Sequence, residues 1–485
     1  MEFNIDKEEN FSEWYNEILK FAEIVDIRYP AKGMPVFLKN GYLALRSMLR
    51  LLEEKLDKNN HFPLAFPVLI PKNILKKESD HIKGFEGEVF WVTKGGFEDL
   101  EEELALRPTS ETPMYYMFAL WIRSKSDLPL KTYQTNQVYR YETKQTKPLI
   151  RGREIYWNEA HTAHANKEEA LDQIKESIMI YNELFEDLKV PVVWLKRPEW
   201  DKFAGADFTL AADSIMPDGR FLQVGTTHLL GQRFSKVFDI KYLDENNNWQ
   251  YVWQTSYGVS MRLLGAVIML HGDNKGLIWP FKISPIQIAI VPIFKKDNKE
   301  KIMEEVKKIK KKLENYRIFI DLRDERPGWK FNDLEMKGIP LRIELGEKDL
   351  TNNEVTVFVR ATNEKFKVKI NELDKKIKEL IDYHEKKLGE RIENFFKNRI
   401  IIIDNPNEKR IKELIEQKKV IKMPFCGDEN CAKKLKEKIE GLDCRGYEID
   451  FETLEAKKEE LERIKGKRCI CGKEAKNYYY FGKSY

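Results

Sequence analysis

Cysteine is scarce in this chain of 485 residues: there are five, all after residue 425. That placement excludes a disulfide framework for most of the chain and points to one local site in the C-terminal region. Long apolar runs are missing too. No stretch approaches the length of a bilayer span, and the opening MEFNIDKEENFSEWYNEIL is acidic and amphipathic, so neither a membrane helix nor a secretory signal is expected. A surplus of one charge is the third absence. Lys and Arg number 84 against 80 Asp and Glu, so no global polycation advertises nucleic acid, and any such binding must use local patches. These absences predict a cytoplasmic protein without membrane contact. The 42% apolar content is that of a globular chain, and the length suffices for two or three domains with cores of their own.

What is present concentrates between Tyr133 and His164, YQTNQVYRYETKQTKPLIRGREIYWNEAHTAH. Alternation sets Val138, Arg140 and Glu142 on one strand face, and a second run sets Arg153, Ile155, Trp157, Glu159 and His161 on another. The joining loop, Thr143–Gly152, carries Lys144, Lys147, Pro148 and Arg151, which predicts an antiparallel hairpin with a long basic loop. Burying such a face is costly unless partners or a ligand satisfy its polar groups. By spacing alone it reads either as a solvated, salt-bridged strand or as a grip on a phosphate beside a small cationic substrate, because a guanidinium fork suits phosphate oxygens.

The Arg140-x-Glu142 strand, loop and return resemble motif 2 of the class II aminoacyl-tRNA synthetases. Thr109, Ser110 and Glu111 in LRPTSETPMY, together with KFAGADFTLAADSIMPDGRFLQVGTTHLLGQ, narrow the resemblance to the prolyl-tRNA synthetases of archaeal and eukaryotic type, over essentially the whole chain. It implies an α+β protein with a class II antiparallel-sheet catalytic domain over 1–282, an α/β anticodon-binding domain over 283–383 and a small C-terminal α+β zinc-binding domain over 384–485. It also implies a ligase that joins L-proline to tRNA(Pro) through prolyl-adenylate, with ATP and Mg²⁺. Arg140 would bridge the proline carboxylate and the α-phosphate, Arg262 would hold the γ-phosphate, and Glu142 the adenine or a metal ion; Gln223, Thr226 and Ser260 complete the implied ATP set. Thr109, Glu111, Glu159 and His161 would face the proline ammonium, while Phe85, Trp157, Phe203 and His228 wall the ring. From the residues alone, Thr109–Glu111 is a helix N-cap and His228 a core histidine.

The remaining segments fit this frame. A helix over Leu43–Leu56 followed by the strand HFPLAFPVLIPK, ended by Pro67 and Pro71, is a common pattern without functional meaning of its own; it resembles motif 1, the dimer interface, and so implies a homodimer. Another helix is expected over Lys167–Leu188. TSYGVSMRLLGAVIMLHGD turns from a polar stretch to an apolar helix at Arg262, with Gly265 and Ala266 small enough for close packing; it resembles motif 3, with Ser256 and Ser260 where other members carry glycine. From Pro285, strand, charged helix (Asn298–Tyr316), strand, short helix (Trp329–Lys337) and strand give a βαβαβ signature. It resembles the anticodon-binding domain shared by several synthetases, where Arg323, Arg326 and Lys330 are candidate anticodon contacts or merely solvated loop charges. Beyond a charged helix, Leu373–Lys397, the pairs Cys426-x4-Cys431 and Cys469-x-Cys471 predict a four-thiolate zinc site, with Cys444 able to replace a member of either pair. The competing functions are a sister synthetase, a catalytically silent RNA-binding paralogue and a purely structural dimer.

Overall fold

The computed structural model describes residues 3–77, 88–142 and 145–485; Phe85 and Lys144 lie outside them. Helix α1 (Phe11–Phe21) buries Phe11, Trp14, Tyr15, Ile18 and Leu19, a three-and-four spacing that lays one apolar stripe on the core. Helix α2 (Lys39–Lys58) does the same with Leu45, Met48, Leu52 and Leu56, and it outruns the expected Leu43–Leu56 at both ends. The segment after it is not the single strand expected. Its prolines divide it into β1 (Phe62–Pro63), at the edge of the main sheet, and a short strand, Leu69–Pro71, in a separate three-stranded sheet.

Helix α3 (Glu111–Trp121) follows the Thr109–Ser110 turn. Strands β2 (Leu130–Tyr139) and β3 (Glu154–His164) form the expected antiparallel hairpin, in register from Leu130 opposite Ala163 to Tyr139 opposite Glu154. Arg140 and Glu142 stand just past the strand rather than within it. The Arg140 N–H still donates to the Arg153 carbonyl at 2.9 Å, but the Glu142 N–H turns back onto the Arg140 carbonyl at 2.7 Å and curls the chain out of the ladder. Helix α4 (Lys167–Asp187), whose first turn is capped by the Asn166 side chain accepting from the Glu169 N–H at 2.9 Å, packs Ile174, Ile178, Tyr181 and Phe185 into the main core.

Strands β4 (Val193–Lys196), β5 (Phe208–Ile215), β6 (Phe221–Gly231) and β7 (Trp253–Ser260) continue the sheet, and β7 runs directly into the wholly apolar-packed α5 (Arg262–His271). A Cβ on Gly265 would stand 2.6 Å from the Ile150 Cδ1 and 3.3 Å from the Leu149 Cβ, so the small residue read from sequence lets the hairpin loop pack closely on α5. Between His164 and Trp253 the chain is spent on α4, β4–β6, one short helix and a two-stranded ribbon; no inserted domain occurs there among the described residues.

The second unit comprises β8 (Ile288–Pro292), α6 (Lys299–Lys312), β9 (Ile318–Ile320), α7 (Pro327–Met336), β10 (Leu341–Leu345), β11 (Glu354–Val359) and β12 (Glu364–Lys369). Its five-stranded sheet has the order β9-β8-β10-β11-β12, with β8 parallel to both neighbours as the βαβαβ pattern requires, and an antiparallel pair added after it. Helix α8 (Leu373–Arg399) leads to β13 (Ile400–Ile402), β14 (Val420–Phe425), β15 (Asp443–Glu448) and β16 (Asn477–Gly482). These last strands do not make a sheet of their own. Strand β15 pairs with β4, Tyr447 opposite Lys196 and Glu448 opposite Leu195, so one sheet of 11 strands runs β13-β14-β16-β15-β4-β5-β6-β7-β3-β2-β1 through both regions. The aromatic tail supplies β16, every residue of it buried.

Candidate active site

Register across the sheet builds the site in rows. Gln134, Glu159, Gly258 and Thr226 stand opposite one another in β2, β3, β7 and β6; two residues along, Thr132, His161, Ser256, His228 and Thr209 form the next row; Asn136, Trp157 and Ser260 form a third. Thr209, Thr226 and His228, with Trp157, Glu159, His161 and Ser260 of these rows, line a cavity of about 310 Å³ together with Thr109, Glu111, Arg140 and Arg262. Arg140, tied to the Pro108 carbonyl, stands within reach of the charges of Glu111 and Glu159 on one side and of Arg262 on the other.

One end is acidic. Glu159 and His161 are 3% and 1% exposed. The Glu159 carboxylate accepts from the Ser110 hydroxyl and from the Gln134 amide at 2.8 Å, and its other oxygen lies 3.0 Å from the His161 Nε2. The His161 Nδ1 is held by the Tyr115 hydroxyl at 3.0 Å. Burial pushes the Glu159 carboxyl up, but His161, Ser110 and Gln134 outweigh it and hold it below its ordinary value. Burial likewise opposes charge on His161, yet the bond to Glu159 and the charge of Glu111 raise it. Both shifts favour the charged forms, an imidazolium beside a carboxylate; Glu111 accepts from the Thr109 hydroxyl, and one ligand atom from each of Glu111, Glu159 and His161 falls within 4.8 Å of the others. Two carboxylates gathered around one imidazole offer oxygens that suit an added ammonium group, with the Arg140 charge near enough to act on both.

Beyond the carboxylates the cavity turns basic. Arg140 is anchored by its Nε donating to the Pro108 carbonyl at 3.0 Å, with its guanidinium 5.6 Å from the Trp157 ring centre. Arg262 donates from Nε to the Ile150 carbonyl at 3.1 Å and from Nη1 to the Gln223 carbonyl at 3.4 Å, while its own N–H meets the Ser260 hydroxyl at 3.2 Å. Burial and the nearby guanidinia of Arg151, Arg140 and Arg445 push Arg262 down to about 10. It keeps its charge at neutral pH in a place short of anions, which is the electrostatics of a polyphosphate cradle. Glu142 is engaged on the hairpin loop: Arg151 Nη1 donates to its Oε2 at 3.1 Å and Arg153 Nε to its carbonyl at 3.1 Å, so it braces the basic loop.

The apolar wall lies between the two ends. Phe203 and His228 rings are 4.8 Å apart, and Thr209 ties them together, its hydroxyl 2.9 Å from the His228 Nδ1 and accepting the Phe203 N–H at 2.9 Å. Trp157 is fixed by Nε1 donating to Asn136 at 2.9 Å. The structure thus gathers Thr109, Glu111, Arg140, Trp157, Glu159, His161, Phe203, Gln223, Thr226, His228, Ser260 and Arg262 at one cavity.

Residues 90–271 match the family described as tRNA synthetase class II core domain (G, H, P, S and T), residues 287–380 match Anticodon binding domain, and residues 409–485 match Prolyl-tRNA synthetase, C-terminal. A proline--tRNA ligase of Thermofilum pendens is 45% identical over 99% of this chain and 98% of its own length. The chain belongs to the prolyl-tRNA synthetase family. Another member, from Methanocaldococcus jannaschii, is 48% identical over 89% of this chain and 95% of its own. Among solved structures, Giardia lamblia prolyl-tRNA synthetase in complex with prolyl-adenylate has a TM-score of 0.93 at 39% identity, covering 100% of both chains. The Cryptosporidium parvum enzyme complexed with halofuginone and AMPPNP has a TM-score of 0.92 at 36% identity, over 100% of this chain and 99% of that one.

The chain's second cluster, in the part that matches the C-terminal prolyl-tRNA synthetase family, is Cys426, Cys431, Cys469 and Cys471, whose sulfurs all lie within 4.8 Å of one another. Cys431 and Cys469 sulfurs are 3.7 Å apart, as are Cys426 and Cys471. Four thiolates around a tetrahedral ion with bonds near 2.3 Å would stand roughly 3.8 Å apart, so the donor set fits such a metal. Cys444 is outside the group.

Several contributors escaped the sequence reading of this synthetase chain. Tyr115, Gln134 and Asn136 hold Glu159, His161 and Trp157 from neighbouring elements, and Arg197 holds Gln223. Gln134 and Asn136 alternate within the hairpin and could have been found by pairing them against Glu159 and Trp157; Tyr115 and Arg197 carried no local signal.

Proposed function

We propose that this synthetase activates L-proline with ATP and transfers it to tRNA(Pro), in the cytoplasm, through the three units 1–282, 283–383 and 384–485. The observation that carries the reading is one cavity lined by the carboxylates of Glu111 and Glu159 and by the guanidinia of Arg140 and Arg262, with Arg140 close enough to the carboxylates to feel their charge. An amino acid lies across such a cavity with its ammonium toward Glu111 and Glu159 and its carboxylate toward Arg140, while Trp157, Phe203 and His228 take the apolar ring. The proline carboxylate then attacks the α-phosphate of MgATP in line: a carboxyl–phosphorus bond forms, and the bond to the leaving pyrophosphate breaks. A ribose hydroxyl at the tRNA acceptor end next attacks the acyl carbon, and AMP departs with the bonding pair. No protein nucleophile is needed, so catalysis rests on placement and charge. Arg140 bridges carboxylate and α-phosphate; Arg262 takes the γ-phosphate; Gln223, Thr226 and Ser260 contact the nucleotide. Glu142, engaged by Arg151, orients that arginine and offers at most one oxygen to adenine or to the Mg²⁺ carried in by ATP. His161 acts by holding Glu159.

The unit over 283–383 takes the anticodon, with Arg323 and Arg326 as contacts; Lys330 is buried, donating to the Asp321 carbonyl at 3.2 Å, and serves the fold instead. Cys426, Cys431, Cys469 and Cys471 hold a structural Zn²⁺. The chain works as a homodimer, a reading supported by the exposed apolar Phe62 and Val68 in the segment after α2. Among the described residues no helix is long and apolar enough to cross a membrane. Pyrophosphate exchange into ATP, run with each of the twenty amino acids, tests the assignment: exchange with proline far above all others is expected, and a better rate with threonine or glycine, or none at all, overturns it.

A further inference from the structure

Strand β15 belongs to the C-terminal region, yet one of its side chains ends beside the nucleotide half of the cavity. The strand carries a bulge between Cys444 and Gly446 where it pairs with β16. Gly446 sits at φ +107° with no room for a side chain, since a Cβ there would stand 2.0 Å from the Lys196 carbonyl oxygen. This close approach aims Arg445 across the seam between β15 and β4 and into the catalytic sheet. There it meets Asp213 of β5, which is fully buried. Arg445 donates from Nε and Nη2 to the two Asp213 oxygens at 2.8 and 3.1 Å, and Arg197 donates from Nη1 and Nη2 to the same two oxygens at 3.0 and 2.7 Å. The Arg445 carbonyl also accepts from Arg197 Nη1 at 2.6 Å.

Arg197 in turn decides how one cavity residue is presented. Its Nη2 donates to the Gln223 Oε1 at 2.8 Å. A guanidinium has only donors, so the Gln223 amide must turn its oxygen to Arg197 and keep its NH₂ for whatever occupies the cavity. The flipped amide would set donor against donor. Arg197 also has Asp201 3.7 Å from its Nε, so the two guanidinia are held by more than one carboxylate, and the group reaches Arg262 through Gln223, whose carbonyl accepts from the Arg262 Nη1.

We propose that Arg445 is a positioning residue for the nucleotide: through Asp213 and Arg197 it fixes the donor orientation of Gln223, and so couples the C-terminal region to ATP binding. This rests on the reading of Gln223 as a nucleotide contact. Loss of Arg445 leaves the Arg197–Asp213 pair in place but untethered on one side, so the effect is on orientation rather than on the chemistry itself.

The test is the KM for ATP and for proline in pyrophosphate exchange, measured on the full chain for Arg445→Met, Arg445→Lys, Gln223→Ala and the double variant Arg445→Met with Gln223→Ala, with thermal melting alongside. Arg445→Met is expected to raise the ATP KM by about fivefold to tenfold, the scale of one weakened charge-assisted hydrogen bond, with the proline KM within about twofold of wild type. Arg445→Lys, which keeps the charge and one bond, recovers part of the loss and keeps the test open should the Met variant fail to fold. The double variant is no worse than Gln223→Ala alone, because both changes remove the same contact. An unchanged ATP KM in both Arg445 variants, with Gln223→Ala impaired, overturns the positioning role and leaves the nucleotide reading of Gln223 standing. An ATP KM unmoved by Gln223→Ala overturns that reading and this route together. Equal increases in both KM values, or additive losses in the double variant, show Arg445 to be structural only and likewise overturn the proposal.

Discussion

Replacing Arg140 by lysine separates charge from geometry at the centre of the cavity. The Nε of Arg140 donates to the Pro108 carbonyl at 3.0 Å, the guanidinium lies 5.6 Å from the Trp157 ring centre, and the side chain lines the cavity. Lysine has a single nitrogen. It can reach the Pro108 carbonyl or the reacting phosphate, and it cannot span a carboxylate and a phosphate with two parallel bonds. The net charge is preserved, so a long-range electrostatic role would survive the change, whereas a bidentate role would not. Losing one preorganised donor to a developing oxyanion costs about 2.7–4 kcal/mol, or roughly two to three orders of magnitude in rate. The folding cost should be small by comparison, on the order of 1 kcal/mol for the Pro108 bond. The assay is proline-dependent pyrophosphate exchange at saturating ATP and proline, with a melting curve to show that the variant is folded. A folded Arg140→Lys enzyme exchanging within a few-fold of wild type would refute the bridging role and leave Arg140 as a general positive charge.

The acidic end should show its charge state in the pH dependence of stability. His161 is raised above the ordinary 6.5, so its contribution is fully present below that value and is lost as pH rises through the higher folded value; Glu159 is lowered, so its share is lost only as pH falls through a value below 4.5. Urea unfolding of wild type against His161→Gln should therefore give a difference that shrinks on going from neutral to alkaline pH, and a difference that grows instead would remove the imidazolium from the account. Elemental analysis should find about one zinc per chain, lost in Cys469→Ser and retained in Cys444→Ser, and the opposite pattern would mean that the ligand set is wrong. Alanine is smaller than proline and is excluded only by lost contact, worth roughly 1–3 kcal/mol per methylene, so alanyl-adenylate should form at a measurable rate. Since no inserted domain lies between His164 and Trp253 among the described residues, alanyl-tRNA should persist in the presence of the enzyme; deacylation clearly faster than the spontaneous rate would reveal a hydrolytic site elsewhere.

Local periodicity made the hairpin, α4, α5 and the βαβαβ unit readable, because strand and helix periods are written within ten to twenty residues of chain. The same is true of the four cysteines, whose pairing in sequence survived as a cluster in space. Residue types left the face carrying Arg140, Glu159 and His161 open between a solvated, salt-bridged strand and a grip on a ligand, because such groups are costly to bury without partners; the resemblance to the synthetase motifs chose the second and added Arg262. What the chain by itself did not decide is which side chains face one another. The rows Gln134–Glu159–Gly258–Thr226 and Thr132–His161–Ser256–His228–Thr209 depend on strand register, and register is set by packing between elements far apart in sequence. The contacts that Glu142 makes with Arg151 and Arg153 were illegible for the same reason, as those loop arginines are placed by the fold of the loop. The largest effect of tertiary structure is the seam between β4 and β15, some 250 residues apart, where a bulge and a glycine at positive φ let the C-terminal strands extend the catalytic sheet. No sequence pattern states that pairing, because the hydrogen bonds that make it come from backbone groups every strand possesses, and only the shape of the two surfaces selects the partner.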